Sequence, residues 1–237
     1  MGKDMLKNAW DTSYKHGDNF LFYPHEEIVR FVNTYIKKRI GVTEYKLIGE
    51  ARRALDLGCG IGRHVWYFDE MNIETYGIDI SKFAIELAKK LVRQMRKEHL
   101  VKRFRVMSGT AMKFKNSFFD MIVSHGTLDS MPFVTAKKTM REAGRVLNSG
   151  GYMYVDLISG DESRYTREFN GEIIVKNNHE RNTVQSFFNY EKIRALIEGT
   201  RLRPISIKIK KDTDILSGRF HSRWHCILTK DSKNPVD

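Results

Sequence analysis

The sequence predicts an α/β fold, a seven-stranded, mostly parallel, doubly wound sheet with an antiparallel last strand and helices on both faces. Three observations carry this. Short apolar runs alternate with amphipathic stretches through the first two thirds of the chain, which is how a parallel sheet covered by helices reads. A glycine-bearing turn follows the first such run directly. Two strictly alternating segments close the chain, as half-buried strands do.

The elements follow in order. Residues 24–40 place Ile28, Phe31, Val32, Tyr35 and Ile36 on one helical stripe. Pro24 suits the first helical position, Glu26 and Glu27 complement the helix start, Lys37 to Arg39 its end, and Gly41 a left-handed cap. Strands are predicted at 53–57, 75–79, 104–107, 120–124 and 152–157, with helices at 62–70, 81–97 and 133–147. Ser81 caps the second of these, and Ala84, Leu87, Ala88, Leu91, Val92 and Met95 bury it. After a polar segment, 159–189, a helix is expected at 190–199. The final strands are 205–209 and 220–228, the latter with Phe220, Ser222, Trp224, Cys226 and Leu228 on one face and His221, Arg223 and His225 on the other. The polar segment is too long for a plain connection. It reads as an insertion over a site, holding a hairpin of 172–176 with 183–188. The whole chain, 1–237, is read as one domain with a lead-in, 1–41, and the insertion as its lid.

Composition narrows the function classes. With 237 residues the chain can bury a sizeable core without disulfides or metals. Its two cysteines, Cys59 and Cys226, suggest neither a disulfide framework nor a metal site. No run is apolar enough to span a membrane and the N-terminus lacks a secretion signal, so the cytoplasm is the expected location. The oligomeric state is open. The net charge of +12 raises a nucleic-acid partner, although the basic residues are dispersed along the chain as on a solvated surface.

The chemistry concentrates in Ala54-Leu-Asp-Leu-Gly-Cys-Gly-Ile-Gly62. Glycines after a buried strand let a ligand approach bare backbone at the carboxyl edge of the sheet. A dinucleotide fingerprint would place glycine at position 63, which is Arg63, and Asp56 before the turn would repel a diphosphate; a carboxylate there suits an ammonium. Asp79 closes the second strand, where a carboxylate can accept both hydroxyls of a ribose. Asp120, ahead of the fourth strand's apolar run, either pairs locally or belongs to the site. Arg219, His221, Arg223 and His225 form either an exposed strand face or a place for an anionic substrate.

LDLGCGIGRH, YGIDIS, FFDMIVSHGTLDSM and RVLNSGGYMYVDL together resemble the ordered motifs of class I S-adenosylmethionine-dependent methyltransferases. The resemblance implies S-adenosyl-L-methionine as cofactor and no metal. It places Gly58, Gly60 and Gly62, with Asp56, at the aminoacyl end, Asp79 and Ile80 at the ribose, and Ser124 and His125 beside the sulfonium. Where many relatives carry an acidic residue for the adenine, this chain has Thr110, Ala111 and Met112. Tyr14 or Tyr23 of the lead-in would fold across the pocket. His125 is the candidate catalytic base for a hydroxyl acceptor. The lead-in with the Phe-His-Ser-Arg-Trp-His strand resembles bacterial methyltransferases of surface-glycan synthesis. The expected reaction is methylation of O or N on a small molecule, a sugar or sugar-nucleotide being preferred. The alternatives are an RNA methyltransferase and a non-catalytic S-adenosylmethionine or S-adenosylhomocysteine binding protein.

Overall fold

The computed structural model describes residues 3–231. In chain order the elements are α1 (Lys3–His16), α2 (Glu26–Tyr35), β1 (Lys37–Arg39), β2 (Tyr45–Leu47), β3 (Arg53–Leu57), α3 (Arg63–Glu70), β4 (Glu74–Asp79) and α4 (Lys82–Gln94). A 3-10 turn (Glu98–Arg103) leads to β5 (Phe104–Val106), then β6 (Phe119–Ser124), α5 (Phe133–Val146), β7 (Leu147–Ile158), β8 (Glu172–Ile174), β9 (Val184–Ser186), α6 (Tyr190–Ile197), β10 (Leu202–Thr213) and β11 (Phe220–Lys230).

Seven strands form one sheet in the order β10-β11-β7-β6-β3-β4-β5. β5, β4, β3, β6 and β7 run parallel, and β11 is antiparallel to both of its neighbours. Both faces are covered, which is why Ala54, Leu55, Asp56 and Leu57 are all buried although they alternate in direction. Leu55, Leu57 and Ile78 pack with Ala136, Met140 and Ile193 of α5 and α6. Ala54, Met121 and Val123 meet Ile28, Phe31 and Phe68 of α2 and α3 on the opposite face. No helix among the described residues is long and apolar enough to cross a membrane.

Three expectations about local structure need correction. The helix predicted over 24–40 spans only Glu26–Tyr35: His25 caps it through its ring, and residues 37–39 leave it to pair with 45–47 as a hairpin. The Ile36 carbonyl takes the N–H groups of Ile48 and Gly49, so tertiary pairing replaces the last helical turn. Gly41 accordingly sits in the hairpin turn and caps no helix. The lead-in also contains a helix, α1, that its polar sequence did not announce. Its Asp11 carboxylate accepts the Ser81 hydroxyl at 2.6 Å and the Phe83 N–H at 3.1 Å, fastening α1 to the start of α4.

Asp120 is a local brace. One of its oxygens accepts the Arg52 and Arg53 N–H groups at 2.8 and 2.9 Å, and the other accepts the Asn148 amide. This secures the extra residues 148–151 that β7 carries between its Leu147 and Tyr152 partners on β6. The expected hairpin in the insertion is present as β8 with β9.

Candidate active site

The strand order reverses between β3 and β6, so a crevice opens at their carboxyl ends. The first wall comes from the turn after β3. Gly58 and Cys59 both donate to the Ile78 carbonyl, at 2.8 and 3.0 Å, which ties the turn to β4. Gly60 donates to Asp79 Oδ2 at 2.9 Å, while Asp79 Oδ1 accepts from Ser81 N at 2.8 Å. Asp79 therefore braces the turn and still keeps spare lone pairs. Burial pushes its carboxyl up to about 6 against the pull of these two N–H groups, with Asp56 and Asp11 adding to the rise. Gly60 has φ +51°, and a Cβ there would lie 2.5 Å from the Tyr14 hydroxyl, so only glycine lets this tyrosine close on the turn. Gly62, with φ +95°, caps α3, and a Cβ on it would strike the Phe104 ring.

The second wall comes from β6, β7 and β11. Asp156 on β7 is fully buried and accepts the Gly126 N–H at 2.7 Å and Arg223 Nε at 2.8 Å. Asp129, in the turn after β6, accepts Arg223 at 2.7 Å and the Ile158 N–H at 2.9 Å. Burial raises the Asp156 carboxyl, but Arg223, His125 and the Gly126 N–H outweigh it and hold it well below the usual carboxylate range. Arg223 is held above its ordinary value by the two carboxylates, against its own burial.

His125 completes this wall. Its Nδ1 is 3.3 Å from an Arg63 guanidinium nitrogen, which can only donate, so Nδ1 is the acceptor and Nε2 carries the hydrogen. Nε2 points to Asp156 Oδ2 at 3.5 Å. Burial pushes the imidazole well below its ordinary value, with Asp156 opposing, so His125 is neutral at neutral pH. Its ring also lies 4.2 Å from that of His25 and 5.6 Å from that of His64, centroid to centroid. Among the described residues no three His, Cys, Asp or Glu side chains converge to hold a metal ion.

Between the walls lies a cavity of about 390 Å³. Trp10, Tyr14 and Leu21 line it from the lead-in, and His179, Glu180 and Gln185 from the insertion. The two segments join where the Glu180 N–H donates to Asp18 Oδ2 at 2.9 Å.

A family model described as a methyltransferase domain matches residues 48–212. The chain belongs to this methyltransferase-domain family. S-adenosylmethionine is accordingly its cofactor. No curated protein matches the sequence. Among solved structures, the methyltransferase resembles an S-adenosylmethionine-dependent methyltransferase of Methanosarcina mazei at 19% identity and TM-score 0.65, covering 89% of this chain and 100% of that one. It also resembles Burkholderia thailandensis 1,6-didemethyltoxoflavin-N1-methyltransferase with bound 1,6-didemethyltoxoflavin and S-adenosylhomocysteine, at 13% identity and TM-score 0.68, over 97% and 88% of the two chains. A third is geranyl diphosphate C-methyltransferase of Streptomyces coelicolor A3(2), in complex with magnesium, geranyl diphosphate and S-adenosyl-L-homocysteine, at 15% identity and TM-score 0.56, over 76% and 72%.

Of the residues singled out in the methyltransferase's sequence, Tyr14, Gly58, Gly60, Asp79, Ile80 and His125 line the cavity. Asp56, Gly62 and Ser124 do not. Asp56 is 1% exposed behind the wall, its Oδ2 3.5 Å from His64 Nδ1, and Ser124 is wholly buried. Thr110, Ala111 and Met112 also fall outside the lining, because the chain turns away after β5: Thr110 bonds back to Ser108, and Met112 packs into the core. Met107 and Gly109 take their place in the wall. Arg223 and His225, read as exposed or substrate-facing, are engaged by the protein itself, His225 through the Tyr154 hydroxyl at 2.7 Å. Asp129, Asp156 and Arg63 were not singled out. The signal for Asp156 was present, since a carboxylate inside the apolar run 152–158 needs buried partners.

Proposed function

We propose that the protein transfers the methyl group of S-adenosylmethionine to an oxygen or nitrogen of a small molecule, and that the whole chain works as one methyltransferase unit whose lead-in and insertion form a lid. The cavity supports this most directly. Its roughly 390 Å³ would have to hold the cofactor as well as the acceptor, which favours a small acceptor. Residues of both the lead-in and the insertion contribute to its lining. The lining agrees: Asp79, Asp129 and Glu180 face only Arg63 and Arg223 as permanent cations, whereas an RNA site would gather basic residues there. The Burkholderia thailandensis N1-methyltransferase holds 1,6-didemethyltoxoflavin together with S-adenosylhomocysteine.

The residues fit the cofactor. Gly58 and Gly60 would hold the aminoacyl end, Asp79 would offer its spare lone pairs to the ribose, and Met107 and Gly109 would hold the adenine. When bound, the cofactor would supply an electrophilic methyl group on its sulfonium, with the neutral thioether as leaving group. His125, neutral and lodged among other rings, takes the proton of a hydroxyl acceptor at Nδ1 once Arg63 yields it. Asp156 Oδ2 lies 3.5 Å from Nε2, without a hydrogen bond, and acts on the ring through its charge. Tyr14 and the insertion exclude water and hold the nucleophile in line. A sugar satisfies these requirements.

Methyl-tritiated S-adenosylmethionine incubated with cell metabolites and, separately, with cellular RNA tests the reading. Label is expected in the small-molecule fraction. Label in RNA, with binding that weakens steeply as salt rises, would establish the nucleic-acid alternative instead. Binding without any transfer would establish a non-catalytic role.

Two further results are expected of the cofactor site. Asp79→Ala should lower S-adenosylhomocysteine affinity by about 1.5–3 kcal/mol, through lost charge-assisted hydrogen bonds, with the fold retained; calorimetry showing no change would place the ribose elsewhere. Because the free Asp79 carboxyl is pushed up to about 6 and its ionised form accepts the hydroxyls, affinity should strengthen as pH rises through 6 and level off above 7. A titration series flat from pH 5 to 8 would contradict that assignment.

A further inference from the structure

Four large apolar side chains stand in the open one after another beside the cavity. Phe20 is 51% exposed, Leu21 53%, Phe22 36% and Tyr23 79%. Single apolar residues scattered on a surface are ordinary, but an unbroken run next to a binding cavity marks a place where something apolar is received. Leu21 belongs to both surfaces, since it also lines the cavity together with Leu6 and Trp10 of α1. Through it the apolar lining continues onto the outside of the molecule.

The run is not a frayed end. Before it, Asp18 accepts the Ser13 hydroxyl at 3.0 Å and the Glu180 N–H at 2.9 Å, and the Phe20 and Leu21 N–H groups donate to the Gly17 and Asn19 carbonyls. After it, the His25 ring caps α2. The Phe22 ring rests on Trp66 at 5.0 Å and carries Tyr23 edge-on at 5.5 Å. Both ends of the loop are thus pinned, with Phe20 and Leu21 left in the open between them. Arg63 connects this strip to the reaction: it reaches the Tyr23 carbonyl at 3.4 Å and His125 Nδ1 at 3.3 Å, so the strip ends one guanidinium away from the proposed base. A cavity of about 390 Å³ that must also take the cofactor has room for the reacting end of an acceptor, and any larger part of it emerges beside Leu21.

We propose that the methyl acceptor is amphiphilic, an alcohol or amine bearing an aryl or alkyl group, with the reacting group in the cavity near His125 and the apolar group laid on Phe20 and Leu21. This rests on the small-molecule methyltransferase reading and sharpens it. A sugar then serves as a glycoside with an apolar aglycone, and a free sugar or a sugar-nucleotide is a poor acceptor.

The test incubates the native enzyme and methyl-tritiated S-adenosylmethionine with a total extract of cell metabolites and partitions the products between water and 1-butanol, the cofactor staying in the water. Most of the transferred label is expected in the butanol. Label confined to the water overturns the proposal and leaves the methyltransferase reading standing. The labelled species, purified from the butanol in its unmethylated form, then serves as acceptor for the native enzyme and for Phe20→Ser, a change at an exposed position. Its KM is expected to rise about five- to twentyfold, as befits lost contact with one face of an aromatic ring, while S-adenosylhomocysteine affinity stays within about twofold. An unchanged KM in the folded variant overturns the proposal. So does binding to phosphatidylcholine vesicles, or a dimer in solution, that Phe20→Ser abolishes, since a bilayer or a second copy would then occupy the strip. Absence of label from every small molecule would instead remove the reading beneath it.

Discussion

Replacing Arg223 with methionine is expected to cost the fold about 3–5 kcal/mol near pH 8, because it leaves two buried carboxylates, Asp129 and Asp156, without their common cation. The sign of the pH dependence follows from the shifts. In the native chain Asp156 is held low, so its contribution is present above its unfolded value near 4 and is lost as the solution becomes acidic. Without Arg223 the two carboxylates repel, and one of them, or His125 at 3.5 Å from Asp156, takes up a proton in the folded state only. The variant then regains stability as pH falls, so its deficit should narrow between pH 8 and pH 5. Urea unfolding at both values measures this. A deficit below about 1 kcal/mol at pH 8, the size of a surface ion pair, would show the trio to be energetically idle.

Replacing His125 with glutamine is expected to lower kcat by about 10²–10⁴-fold for a hydroxyl acceptor, the usual contribution of a positioned base. S-adenosylhomocysteine binding should be nearly unchanged. The pH profile separates a base from a structural histidine. Since burial pushes His125 well below its ordinary value, the native kcat/KM should hold constant through neutrality and fall only on the acid side of pH 6.5, and the variant should lack that acid limb. An amine acceptor, deprotonated before attack, would lose far less, so the same measurement reports whether oxygen or nitrogen is methylated. A variant with native kcat and an intact acid limb would take His125 out of the reaction.

The legible parts of the molecule are those whose cause lies within a few residues. The turn at 58–62 declares itself because each of its glycines has a local reason, and Asp79 stands out because it ends an apolar strand. Strand alternation likewise gives the middle of β10 and most of β11, since edge and half-buried strands show period two, but both run beyond the predicted 205–209 and 220–228. The hairpin at 37–47 was hidden: its basic residues suit a helix end equally well, and only the pairing of Ile36 with Ile48 and Gly49 decides against it. The second wall was the least legible. Arg223 meets Asp156 across 67 positions and Asp129 across 94, and nothing near any of the three forecasts that they share one site. The adenine side failed for a different reason, because β5 ends at Val106 and the residues facing the cavity come sooner than the resemblance implied.

The lead-in and the insertion are fastened to each other lightly, chiefly where Glu180 meets Asp18, whereas the second wall is cross-braced through Asp156. Substitutions accumulating in 17–25 or 176–182 should therefore alter which acceptors are admitted while leaving folding and cofactor use intact. In laboratory evolution this makes these two segments the cheapest place to search for new substrates, and the Asp129–Arg223–Asp156 trio the place where most changes are purged.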